Sequence, residues 1–147
     1  MKKNSWLVMP LLALALIFAG TLIAVASDAP DVITLNPSLW AKHTKSPVEF
    51  SHKKHHDEYG VACTECHHKY EGGQNVWKEG DPVKKCEECH NEPTIRGEKR
   101  LAPEQQKLNL KLAFHNNCIK CHRKVKKENR KTKAPTTCSK CHPRKKK

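Results

Sequence analysis

All eight cysteines of this 147-residue chain fall in one repeated five-residue word. The word occurs as Cys63-Thr-Glu-Cys66-His67, Cys86-Glu-Glu-Cys89-His90, Cys118-Ile-Lys-Cys121-His122 and Cys138-Ser-Lys-Cys141-His142. C-x-x-C-H is the attachment signature of c-type haem. Two thiols form thioethers to the haem edge, and the histidine that follows is held where it can ligate the iron. With ten histidines in the chain, a histidine after all four pairs by chance has odds of roughly two in 100,000. Disulfides or zinc ribbons would also use cysteine pairs. Neither gives a reason for a histidine after every second cysteine.

A haem iron has two axial positions, and methionine can fill the second. Here the two methionines, Met1 and Met9, both precede the first cysteine by more than fifty residues, in an apolar leader. The remaining candidates are histidines. Beyond the four motif histidines the chain has His43, His52, His55, His56, His68 and His115. Four haems need four of these six.

The leader has its own pattern. Lys2 and Lys3 precede an apolar run from Trp6 to Ala26, and Ala24-Val25-Ala26 gives an A-x-A cleavage site. Residues 1–26 are expected to be a signal peptide, with an uncleaved membrane anchor as the alternative, since 21 residues also suffice to span a bilayer. Residues 27–147 are then periplasmic, the side on which bacterial c-type haem is attached.

The elements that must position these residues have little to fold around. Leu, Ile, Val and Phe make up only 17 of residues 27–147. Such a composition normally reads as disordered, because too little apolar surface is available to offset the entropy of ordering. Four porphyrins would supply the missing area, so the haem-free chain is not expected to fold. Pro47 to Phe50 reads as a short strand. Gly72-Gly73 and Gly80-Asp81-Pro82 read as turns around Val76-Trp77, with a small hairpin there. Pro103 to His115 reads as a helix, with Leu108, Leu112 and His115 on one face. Each C-x-x-C-H word is expected in a helical turn. The words stand 23, 32 and 20 residues apart, too irregular for a solenoid.

Phe50-Ser51-His52-x-x-His55, the His67-His68 pair, and His115-x-x-Cys118-x-x-Cys121-His122 followed by a last C-x-x-C-H resemble the class III multihaem cytochromes c. These are tetrahaem periplasmic carriers of sulfate- and metal-reducing bacteria, and the resemblance covers about Val48 to His142. It implies a small, mostly irregular and helical domain with few short strands, wrapped around four covalently bound haems. It also implies the axial pairs: His67 with His52, His90 with His68, His122 with His55 (or its neighbour His56), and His142 with His115. All four words here are C-x-x-C-H, whereas several family members lengthen the second and fourth. Asn91 to Leu101 reads as a charged insertion.

Two imidazoles per iron leave no open coordination position, so such sites exchange electrons rather than bind substrate. The expected function is a low-potential, multi-electron carrier of anaerobic respiration, not an enzyme. A haem subunit of a membrane-anchored redox complex, or a terminal reductase with one five-coordinate haem, is the alternative. The charge is lopsided. Residues 27–104 carry 11 basic and 14 acidic side chains, whereas residues 105–147 carry 15 basic and one acidic, Glu128. Part of that excess balances haem propionates. The rest, including Lys140, Arg144, Lys145, Lys146 and Lys147, suits steering of a redox partner with an acidic surface. In the resembled family a lysine-rich patch of this kind meets hydrogenase and other redox partners. Export makes nucleic acid an improbable partner, and a membrane enters only if the leader is retained.

Overall fold

The computed structural model describes residues 29–144. The leader and Lys145, Lys146 and Lys147 lie outside the described residues. Among those described, no helix is long and apolar enough to cross a membrane.

The chain makes a small, mostly irregular and helical fold with four short strands. Strands β1 (Ile33–Leu35) and β2 (Val48–Phe50) pair antiparallel, with Ile33 opposite Phe50 and Leu35 opposite Val48. The period-2 alternation sends Ile33, Leu35, Val48 and Phe50 to the half-buried face. On the other face Thr34 Oγ1 donates to the Glu49 carboxylate at 2.9 Å. The strand expected at Pro47 to Phe50 therefore forms and finds its partner in the N-terminal lead-in.

The hairpin lies slightly earlier than the sequence suggests. Strands β3 (Tyr70–Glu71) and β4 (Gln74–Asn75) flank Gly72 and Gly73, whose φ values of 57° and 83° supply the two left-handed residues of a tight turn. Val76 and Trp77 follow the hairpin rather than sit in it. Asn75 ties it to the first motif: its Oδ1 accepts from Lys69 N and Trp77 N, and its Nδ2 donates to His67 O at 3.0 Å.

Helix α1 (Cys86–Cys89) is the second motif itself. It is closed at its start by Lys85 N donating to Glu88 Oε1 at 2.8 Å. The helix expected from Pro103 to His115 is divided. Helix α2 (Pro103–Leu108) stops, Asn109 takes an extended conformation, and helix α3 runs from Leu110 to Glu128. The break follows from Asn109, whose side chain accepts from Leu112 N at 2.9 Å and starts a new helix. The Leu108–Leu112–His115 face is thereby split. Leu108 is 47% exposed, while Leu110 and Leu112 are buried. Helix α4 (Cys138–Cys141) is the last motif.

Asn109, Leu110 and Leu112 are the buried residues among those described. Asn109 Nδ2 donates to the Glu92 carboxylate at 2.6 Å and to Thr94 O at 2.9 Å. Thr94 in turn donates to Glu92 from N and Oγ1. The segment Asn91 to Leu101 is thus bound to the start of α3. Lys111 completes the attachment, with Nζ 2.6 Å from Ile95 O and 2.7 Å from Glu98 Oε1. Elsewhere the N-terminal arm is pinned by polar contacts. Ser38 Oγ and Leu39 N donate to Glu87 inside the second motif, and Trp40 Nε1 donates to Pro93 O at 2.7 Å.

Candidate haem-binding site

Each motif closes a helical turn on its own histidine. His67 N donates to Cys63 O at 2.8 Å, His90 N to Cys86 O at 2.8 Å, and His142 N to Cys138 O at 2.7 Å. The third motif lies within α3. A turn of this kind puts both cysteines and the histidine on one side of a short backbone segment, as attachment at two points plus ligation requires.

None of the eight cysteines, all of which are among the described residues, is in a disulfide. Cys118 is exposed as a residue, but its thiol is partly desolvated by the atoms around it. Desolvation there pushes its thiol up to about 11. Burial raises Cys66, Cys86 and Cys141 as well. Cys118 feels the charge of Cys66, Cys141 and Cys86, and Cys66 feels that of Cys121. The four attachment points therefore converge around the third motif. Among the described residues no three His, Cys, Asp or Glu side chains gather as a metal cage.

The histidines meet in pairs. His52 and His67 have ring centroids 6.2 Å apart, His55 and His122 6.1 Å, and His68 and His90 5.8 Å. Two imidazoles sharing one metal, with metal–nitrogen bonds of about 2 Å, would hold their centroids roughly 6 Å apart. His115 is exposed but partly desolvated, and close enough to His142 to sense its charge. Burial first, then Lys111 and His142, hold its pKa below the ordinary histidine value. His67 is lowered by burial first, then by His52 and His68. Both effects favour the neutral imidazole, the form that ligates a metal.

The second ring nitrogens show which tautomer is held. Nδ1 of His90 lies 2.8 Å from Lys107 O, Nδ1 of His122 2.7 Å from Pro135 O, and Nδ1 of His142 2.7 Å from Ser46 O. Nδ1 of His55 lies 2.8 Å from Ser51 O. A backbone carbonyl only accepts, so these Nδ1 atoms carry the proton and Nε2 keeps its lone pair free for a metal. His67 is instead stacked on Trp77, with centroids 4.8 Å apart and planes 23° apart.

Two histidines stay outside the pairs. His56 is exposed, with Nδ1 3.4 Å from Val61 O, so His55 is the one beside His122. His43 is exposed and meets Trp40 edge-on at 6.1 Å. The sequence reading missed the carbonyl acceptors and the Trp77 stack. Trp77, ten residues beyond His67 and after a Gly-Gly turn, was the available signal for the stack.

The residues fit covalently held haem: free thiols in pairs, a histidine beside each pair, and imidazoles with Nε2 unencumbered. Haem c, once attached, supplies a reversible one-electron couple at iron.

The profile of the Class III cytochrome C family matches residues 29–142. The chain is 38% identical over 125 residues to a cytochrome c3 of Maridesulfovibrio salexigens, covering 81% of this chain and 99% of that protein. It is 31% identical over 125 residues to a cytochrome c3 of Desulfovibrio desulfuricans, covering 80% of this chain and 98% of that one. With paired thiols, metal-ready imidazoles and this likeness along nearly its whole described length, the chain belongs to the class III cytochrome c family and is a multihaem electron carrier.

Proposed function

We propose that the chain binds four haems c, each with two histidine ligands, and works as a low-potential, multi-electron carrier in periplasmic anaerobic respiration. The cysteine pairs Cys63/Cys66, Cys86/Cys89, Cys118/Cys121 and Cys138/Cys141 attach the haems. The axial pairs are His67–His52, His90–His68, His122–His55 and His142–His115. The observation that carries this reading is the set of three imidazole pairs with centroids 5.8–6.2 Å apart. The fourth pair is supported by the charge of His142 felt at His115.

Two imidazoles per iron leave the residues nothing to do to a substrate. Their work is to fix the ligand field and exclude a third ligand, which favours electron transfer at low potential. His67 and His68 are adjacent, with Cα atoms about 3.8 Å apart, so one peptide unit joins the first pair to the second. Electrons enter and leave through redox proteins with acidic docking surfaces, of hydrogenase or dehydrogenase type as donors and membrane or extracellular type as acceptors. The basic 105–144 stretch supports that choice. Mature protein is expected to begin at Ser27.

The test is the intact mass and ferric spectrum of the native protein. A mass excess of four haems, a wholly low-spin spectrum and an N-terminus at Ser27 are expected. A high-spin component would overturn the bis-histidine reading and favour a terminal reductase. A retained leader would favour a membrane-anchored redox subunit.

A further inference from the structure

The four histidine pairs differ in what their second ring nitrogens do. In the third pair both are engaged, His55 to Ser51 O and His122 to Pro135 O. In the second and fourth pairs only the motif histidine is engaged, His90 to Lys107 O and His142 to Ser46 O. Among the described residues, no acceptor meets a ring nitrogen of His68 or His115. In the first pair, among the described residues, neither ring meets a protein acceptor. His67 lies flat on Trp77, and His52 Nδ1 is buried without a partner. The acceptors therefore number none, one, two and one along the four motifs.

An imidazole whose Nδ1–H donates to a carbonyl pushes electron density toward Nε2 and becomes a stronger ligand. A stronger donor favours the more positive, oxidised metal and so lowers the reduction potential. The acceptors here are backbone carbonyls, fixed by the fold, so the bias is built into the chain's path. It is not set by side chains that reorient.

We propose that this graded hydrogen bonding orders the four sites by reduction potential. The His52–His67 site takes an electron first and the His55–His122 site last, with the other two between. The inference rests on the bis-histidine reading above. Second-shell partners of metal ligands act on the order of tenfold in affinity. A tenfold separation between the first and third sites is 59 mV for a one-electron couple.

The experiment is a stepwise reduction of the full haem-loaded protein, followed by NMR with haem signals assigned to each cysteine pair. The signals of the Cys63/Cys66 site are expected to change first and those of the Cys118/Cys121 site last. Four low-spin sites reducing in the opposite order, or first and third together, would overturn the ordering while leaving the ligation intact. A high-spin site in the first or third pair would overturn the ligation itself, and the ordering with it. The ¹⁵N shifts of Nδ1 in the same sample are expected to report hydrogen-bonded N–H for His55, His90, His122 and His142. Hydrogen-bonded shifts for His52 and His67 as well would remove the gradation and sink the proposal.

Discussion

Residues 29–108 and residues 109–128 are held together by different means. The first stretch carries two of the four motifs, two two-stranded sheets and long irregular segments, and none of its residues is buried. Its order comes from scattered polar ties such as Ser38 to Glu87 and Trp40 to Pro93. The second stretch starts with Asn109, Leu110 and Leu112, all buried, and continues as a 19-residue helix. One is a sleeve of short strands and loops joined by polar contacts. The other has a small core of ordinary peptide chemistry, with Glu92, Thr94 and Glu98 drawn onto it. A chain this poor in apolar residues concentrates the few it has where the longest helix must start.

The largest effect should come from withholding haem. Chain produced without attachment is expected to show no cooperative thermal transition by circular dichroism, with residual helicity confined to α3. A sharp melt of the haem-free chain would erase the contrast between the two stretches. Next, in the haem-loaded protein, Leu110→Ala should cost about 3 kcal/mol in denaturant unfolding, because it empties a fully enclosed site. Leu35→Ala, on the half-buried face of β1, should cost about 1 kcal/mol. Equal costs would mean that the strands are as enclosed as the helix start. Asn109→Ala removes a helix cap and leaves Glu92 and Thr94 without their donor, for about 2 kcal/mol. Detachment of residues 91–101 should appear as faster amide exchange there, with little change around β1 and β2.

The smallest effect is a pH dependence. Lys111 holds the Glu98 carboxyl below its ordinary value, chiefly by a direct hydrogen bond. A carboxyl depressed in the folded state adds stability above its unfolded value near 4.3 and loses it as pH falls through the folded value. Stability should therefore decline in acid, and Glu98→Gln should flatten that decline. An unchanged acid limb would show that the pair contributes nothing to holding the insertion.

The site was more legible in the sequence than the fold. Attachment chemistry demands adjacent residues, so Cys63, Cys66 and His67 and their three counterparts announce themselves locally. The absence of a usable methionine left histidine as the expected second ligand, and the structure brings His52, His55 and His68 beside His67, His122 and His90. The hairpin was misplaced because Tyr70, Glu71, Gln74 and Asn75 lack an apolar alternation, so only the Gly-Gly turn marked it. The helix break was missed because leucine spacing runs through Asn109 unchanged, while the capping that divides α2 from α3 comes from one side chain. The carbonyl acceptors of the ring nitrogens were beyond reach. Ser46 O and Lys107 O carry no side-chain identity, and they lie 96 and 17 residues from the histidines they serve.

The Ser46–His142 contact has a consequence for biogenesis. Ser46 receives the ring of His142 on its carbonyl and donates its own hydroxyl to Pro143 O at 2.7 Å. The last motif is thus buckled to a residue nearly a hundred positions earlier in the chain. A chain made from its N-terminus presents three motifs before this buckle can fasten. Closing so long a loop costs entropy that only slowly grows with length, but it cannot begin until His142 arrives. The fourth histidine therefore acquires its fixed tautomer last, and a chain truncated before His142 would stay an open belt.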